Sequence, residues 1–135
     1  MSDDEYSGAN EEFLKAHEHY RHGRYKECLN ESLKAFESTM KVICQKRGWS
    51  YNQNDTAKKL IEICLSNDLV PSFLQAQITA LKSILESGIP TIRNKSGGHG
   101  QGIQQTIVPP HLAGYMLHLT ATTILFLIES EGQLP

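Results

Sequence analysis

The chain has 135 residues and a formal net charge of −2 at neutral pH. That length suits one domain, able to bury a core without metals or disulfides. The weak acidity excludes a generally basic nucleic-acid surface and leaves room only for a local cluster of cations. Three cysteines, Cys28, Cys44 and Cys64, lie among apolar residues. Their odd number, the absence of CxxC spacing and the lack of a secretory leader pattern predict a reducing, cytoplasmic setting and no zinc site.

Residues 1–9 are polar and acidic and are expected to form a flexible terminus ahead of a single domain over 10–131. A first helix is predicted from Asn10 to His22, with Phe13, Ala16, His17 and Tyr20 on one stripe. Gly23 marks a tight connection. A second helix follows from Tyr25 to Lys46, where Leu29, Leu33, Phe36, Met40 and Ile43 recur at alternating intervals of four and three residues. That spacing is the mark of an amphipathic helix. Gly48 ends it, and a polar loop leads to Asn54 or Asp55, either of which can cap a third helix over Thr56–Leu65.

Ser72 and Gln75 fit a capping box for a fourth helix. Leu74, Ile78, Leu81 and Leu85 share one of its faces, and Gly88 and Pro90 are expected to stop it. The segment from Thr91 to Gly102 then reads as a glycine-rich connector. Pro109 and Pro110 introduce a fifth helix over His111–Glu129, since proline suits a first helical turn.

Between Leu112 and Ile128 no aspartate, glutamate, lysine or arginine interrupts this last helix. The stretch falls just short of a membrane span, and His118, Thr120, Thr122 and Thr123 make it polar in places. It reads as a covered helix with no membrane involved. No stretch alternates as a strand would, so the fold class is all-α, a bundle of four or five helices. A final helix that is apolar nearly all round needs cover on every side. Either a central position or a second subunit supplies it, and a homodimer is the expected assembly.

The chemistry concentrates in the glycine-rich connector. Arg93 and His99 stand six positions apart, with Asn94 and Lys95 beside the arginine and Gly97, Gly98 and Gly100 around the histidine. A guanidinium fork matches two phosphate oxygens. Histidine exchanges protons near neutrality. Glycines allow backbone N–H groups to approach an anion. RNA brings its own nucleophile, the 2'-hydroxyl, so this set predicts phosphodiester chemistry that requires no metal and no cofactor. One loop offers one histidine, whereas acid and base catalysis needs two; two subunits would provide them. Among the other histidines, His17, His19 and His22 form no metal-ligand spacing. His118 is expected inside, and His111 is an accessory candidate at the start of the last helix.

The run Ile92-Arg93-Asn94-Lys95-Ser96-Gly97-Gly98-His99-Gly100, together with Ala35-Phe36-Glu37-Ser38-Thr39-Met40-Lys41 and the apolar stretch Ala113 to Leu127, resembles the HEPN superfamily. More narrowly, it is similar to the HEPN-like C-terminal domain of abortive-infection proteins. The resemblance implies a four- or five-helix bundle of HEPN type that dimerises. It also implies a metal-independent endoribonuclease of antiviral or toxin–antitoxin defence, with a regulatory protein partner. It puts the catalytic arginine on Arg93, its polar neighbour on Asn94 and the catalytic histidine on His99. Lys95, Gly97, Gly98 and Gly100 are left to bind substrate. Glu37 becomes an accessory candidate, although it also suits a surface pair with Lys41. The alternative is a noncatalytic helical module that binds a nucleotide or RNA in the same cleft.

Overall fold

The computed structural model describes residues 4–97 and 108–135, with side chains along the fourth helix as far as Glu86. A 3-10 turn, Asp4–Tyr6, leads into α1 (Ser7–Arg21). The other helices are α2 (Tyr25–Arg47), α3 (Ala57–Ser66), α4 (Gln75–Gly97) and α5 (Pro110–Gln133), with a second 3-10 turn at Ser72–Leu74. The described residues hold no strand, and the fold is all-α.

The long second helix is the hub: α2 touches α1, α3, α4 and α5. Its predicted stripe is the core, with Leu29, Phe36, Met40 and Ile43 essentially without solvent contact. Gly48 ends it in a left-handed conformation, φ 72°, which a side chain would strain. The next N–H, that of Trp49, donates back to the Cys44 carbonyl at 2.9 Å, closing the last turn as a Schellman motif does.

The chain joins the core earlier than its polar start suggests. Tyr6 and Ala9 are each 1% exposed, and α1 begins at Ser7 rather than Asn10. One aromatic residue is enough to anchor the segment: Tyr6 joins the main core cluster and its ring lies 5.4 Å below the Lys46 ammonium. α1 and α5 approach closely at Gly114, where a Cβ would meet the Tyr20 hydroxyl at 2.9 Å.

α4 departs most from expectation. It runs through Gly88 and Pro90 to Gly97, so Thr91–Gly97 is helix and not connector. The apolar rhythm Ile78, Leu81, Leu85, Ile89, Ile92 continues past the proline. A proline inside a helix forfeits one backbone hydrogen bond and crowds one carbonyl, which a helix packed on its neighbours can tolerate. Nor is the capping box of Ser72 and Gln75 formed. Ser72 lies in the 3-10 turn, and the helix proper starts at Gln75, the residue expected three positions inside it.

α5 is covered along one side only. Ala113, Met116, Leu117, Ile124 and Leu127 are buried, while Tyr115 and Leu125 stay 59% and 50% exposed. By length and composition it is the one helix among the described residues that passes as a membrane span, yet its buried stripe is spent on α2 and α1. Its end is clamped by charge. Glu131 lies 2.9 Å from Lys46 Nζ and 2.6 Å from an Arg47 guanidinium nitrogen. Arg47 also donates to the carbonyls of Glu131 and Pro135.

Candidate functional site at the end of α4

Arg93, Asn94, Lys95 and Gly97 belong to the last two turns of α4. The arginine is thus carried by a helix, not by a loop, and Lys95 in the final turn suits the negative end of the helix dipole. Gly98, His99 and Gly100 lie outside the described residues. The expectation that arginine and histidine share one loop is corrected on the arginine side: the motif begins within a helix.

Glu37 has a defined position. Its Oε2 accepts the backbone N–H of Ala57 at 3.1 Å, so the carboxylate on α2 caps the start of α3. Glu37 thus takes the capping role expected of Asn54 or Asp55. Asp55 instead accepts the N–H of Asn52, and Thr56 occupies the cap position without a side-chain bond. Sequence proximity favours a local cap, whereas a carboxylate contributed by another helix leaves no local signal.

Burial raises the Glu37 carboxyl above its ordinary range. The Ala57 N–H and Lys41 oppose that rise, and the negative charges of Glu86 and Glu12 add to it. Glu37 therefore sits within electrostatic range of Glu86 on α4. Glu86 precedes Arg93 by seven residues, two helical turns or about 10 Å along the axis. The fold brings Glu37 to the flank of the motif helix, but its hydrogen bond is spent on α3.

His111 occupies the first turn of α5 and is exposed. His118 is exposed as well, correcting its expected interior place; its face of α5 is the uncovered one. His19 accepts the Arg24 Nε–H at 2.8 Å, closing the turn between α1 and α2. Among the described residues no trio of histidine, cysteine, aspartate or glutamate is arranged to hold a metal ion. All three cysteines are free and buried. Burial pushes the Cys28 thiol up to about 11, against a lowering contact with Ser32.

Two surface depressions border α4. One, of about 550 Å³, separates α4 from α5 and is lined by Ile78, Leu81, Ile84, Tyr115, Leu119 and Phe126. The other, of about 450 Å³, separates α3 from α4 and bears Lys58 and Lys82. Lys82 is 3.8 Å from Glu86. Neither was foreseen. Lys82 stands eleven residues before Arg93 on the same helix.

A profile of the family described as Abi_C, HEPN-like domain, matches residues 7–131. That span takes in all five helices apart from the last two residues of α5, and it includes the whole of the Arg93 to His99 segment. Comparison with curated proteins and with solved structures returned no match.

Proposed function

This chain belongs to the HEPN-like family of abortive-infection C-terminal domains, and we propose that it acts as a dimeric, metal-independent endoribonuclease. The observation that carries the reading is the Arg93-Asn94 pair, six and five positions before His99, inside the matched span and at the end of a long helix. A helix fixes the backbone from which an arginine extends, and a well-placed cation is what phosphoryl chemistry needs.

The reaction follows from the groups. His99 removes the proton of a ribose 2'-hydroxyl, and the oxygen attacks the adjacent phosphorus. Arg93 takes up the charge that grows on the non-bridging oxygens. The bond from phosphorus to the 5'-oxygen breaks, and the partner subunit's His99 returns a proton to that oxygen. The products are a 2',3'-cyclic phosphate and a free 5'-hydroxyl. Asn94 orients the phosphate, with Lys95 and the backbone of Gly97, Gly98 and Gly100 as further contacts. Glu37 and His111 take no direct part.

Support for the dimer comes from the α4–α5 groove and the charge-free surface beside it. An open apolar flank on a helix of that length is the kind of surface a second copy covers. The proposed setting is the cytoplasm, in a defence role under the control of a regulatory protein.

The direct test is incubation with mixed RNA in chelator. Cleavage is expected, with cyclic or 3'-phosphate ends, and R93A and H99A should each abolish it. Light scattering should show a dimer. Intact RNA, in the presence and absence of cell extract, would count against the enzyme. RNA binding that persists in H99A and is lost in R93A, without any cleavage by the parent, would make the same cleft a binding module.

A further inference from the structure

The groove between α3 and α4 is polar where the α4–α5 groove is apolar. Lys58 and Ser66 from α3 stand across it from Gln75, Thr79 and Lys82 of α4, over apolar lining from Ile61 and Leu65. Just ahead of Gln75, in the 3-10 turn, Phe73 is 80% exposed. No other large apolar side chain among the described residues is left so open to water. Phe73 precedes the groove-lining Gln75 by two residues, and an exposed aromatic ring combined with lysines is how proteins hold unstructured nucleic acid. The cations follow the phosphates, and bases stack on the ring whatever their sequence.

The helix supplies the direction. Gln75, Thr79, Lys82 and Glu86 recur at intervals of four, three and four and form one stripe on α4. Arg93 has the same register, eighteen residues or five turns beyond Gln75. The helix axis advances about 16 Å between Lys82 and Arg93. One face of one helix therefore joins the groove to the proposed catalytic end.

We propose that the α3–α4 groove guides single-stranded RNA toward Arg93, with Phe73 stacking a base and Lys58 and Lys82 meeting the phosphates. This rests on the endoribonuclease reading above. The path is built for modest affinity. Glu62 lines it too, and Glu86 holds Lys82 at 3.8 Å. A strand must displace that ion pair to use the lysine fully.

The experiment measures anisotropy of a fluorescein-labelled oligouridylate against the full chain bearing H99A, at several salt concentrations. Cleavage of the same RNA by the parent chain is followed in parallel. Phe73→Ala should weaken binding about tenfold. The double variant K58Q/K82Q should weaken it and flatten the dependence of log affinity on log salt by about 1.4, two phosphate contacts on a single strand. Glu86→Gln should tighten binding, a gain that mere damage to the fold would not produce.

If F73A and K58Q/K82Q bind with unchanged affinity and salt slope while R93A still abolishes cleavage, the groove is refuted and the enzyme stands. If F73A alone is silent, the stacking assignment falls. A parent chain that neither binds nor cleaves RNA overturns the enzyme and the groove together.

Discussion

Replacing Glu37 separates a capping role from a catalytic one. Glu37→Ala removes the acceptor for the Ala57 N–H, now bonded at 3.1 Å. Loss of a helix cap costs about 1 kcal/mol, or a Tm fall of about 4 °C in a domain of this size. Glu37→Gln keeps a carbonyl oxygen that can accept the same N–H. It also removes a charge that burial, Glu86 and Glu12 disfavour. Its Tm at neutral pH should equal or exceed that of the parent. The pH dependence has a definite sign. A carboxyl whose pKa rises on folding adds most stability below its unfolded value, near 4.5, and that contribution is lost as pH climbs through the raised folded value. Any advantage of E37Q should therefore appear above that range and vanish in acid. Calorimetry from about pH 4 to about pH 7, with the RNA cleavage assay alongside, reads both quantities. Cleavage should survive in E37Q. If E37Q melts as low as E37A, the cap is misassigned; if it melts like the parent but cannot cleave, Glu37 belongs to the catalytic machinery after all.

Glu131→Gln should destabilise the chain by about 2 kcal/mol at neutral pH, the scale of a charge-assisted, partly buried pair. The hydrogen bond from Lys46 and that from Arg47 both lower the Glu131 carboxyl below its ordinary value of 4.5, against a burial effect that raises it. The gap between parent and variant should therefore close as pH falls through the lowered value, and a constant gap in urea titrations across that range would argue against the clamp. Gly114→Ala should cost about 1–3 kcal/mol, because its Cβ would meet the Tyr20 ring and hydroxyl where α1 crosses α5; an unchanged Tm would show that the two helices can part there freely. Cys28, buried and with its thiol pushed up to about 11, should resist alkylation at neutral pH until the chain is unfolded. Mass spectrometry of the native protein after brief iodoacetamide treatment checks this, and rapid modification would contradict the burial.

The helices were legible because their apolar residues recur at helical intervals. The α2 stripe from Leu29 to Ile43 was read residue by residue, and all its members except the half-buried Leu33 are buried. Punctuation by single residues was read less well. Tyr6 was lost in an acidic stretch because one aromatic residue has no periodicity. Glu37 looked like half of a surface pair or a catalytic accessory because its partner, the Ala57 N–H, lies twenty residues away and is backbone. The apolar α5 was expected to need cover on every side. The fold places α2, not α5, at the centre, and one flank of α5 stays open to solvent. Arg93, Asn94 and His99 were legible only as a motif; what the fold adds is that its first two residues ride on a helix.

That addition depends on α4 passing through Pro90, and it can be tested at that residue. Glycine and proline two positions apart are a strong local stop signal. The competing signal is the unbroken recurrence of apolar residues from Ile78 to Ile92. A helix that gains packing along its length can outweigh one lost hydrogen bond and one crowded carbonyl. In a helix interior proline is about 3 kcal/mol less favourable than alanine. If α4 continues to Gly97, Pro90→Ala should therefore raise stability by an amount of that order and increase helical circular dichroism. If the chain leaves the helix at Gly88, the substitution restores no hydrogen bond. It would then be neutral, or slightly destabilising through a more flexible unfolded chain. The outcome bears on function as well as fold. Only a continuous helix gives Arg93 the register of Lys82 and a fixed distance from it, and a flat or negative response in P90A would remove the basis for both.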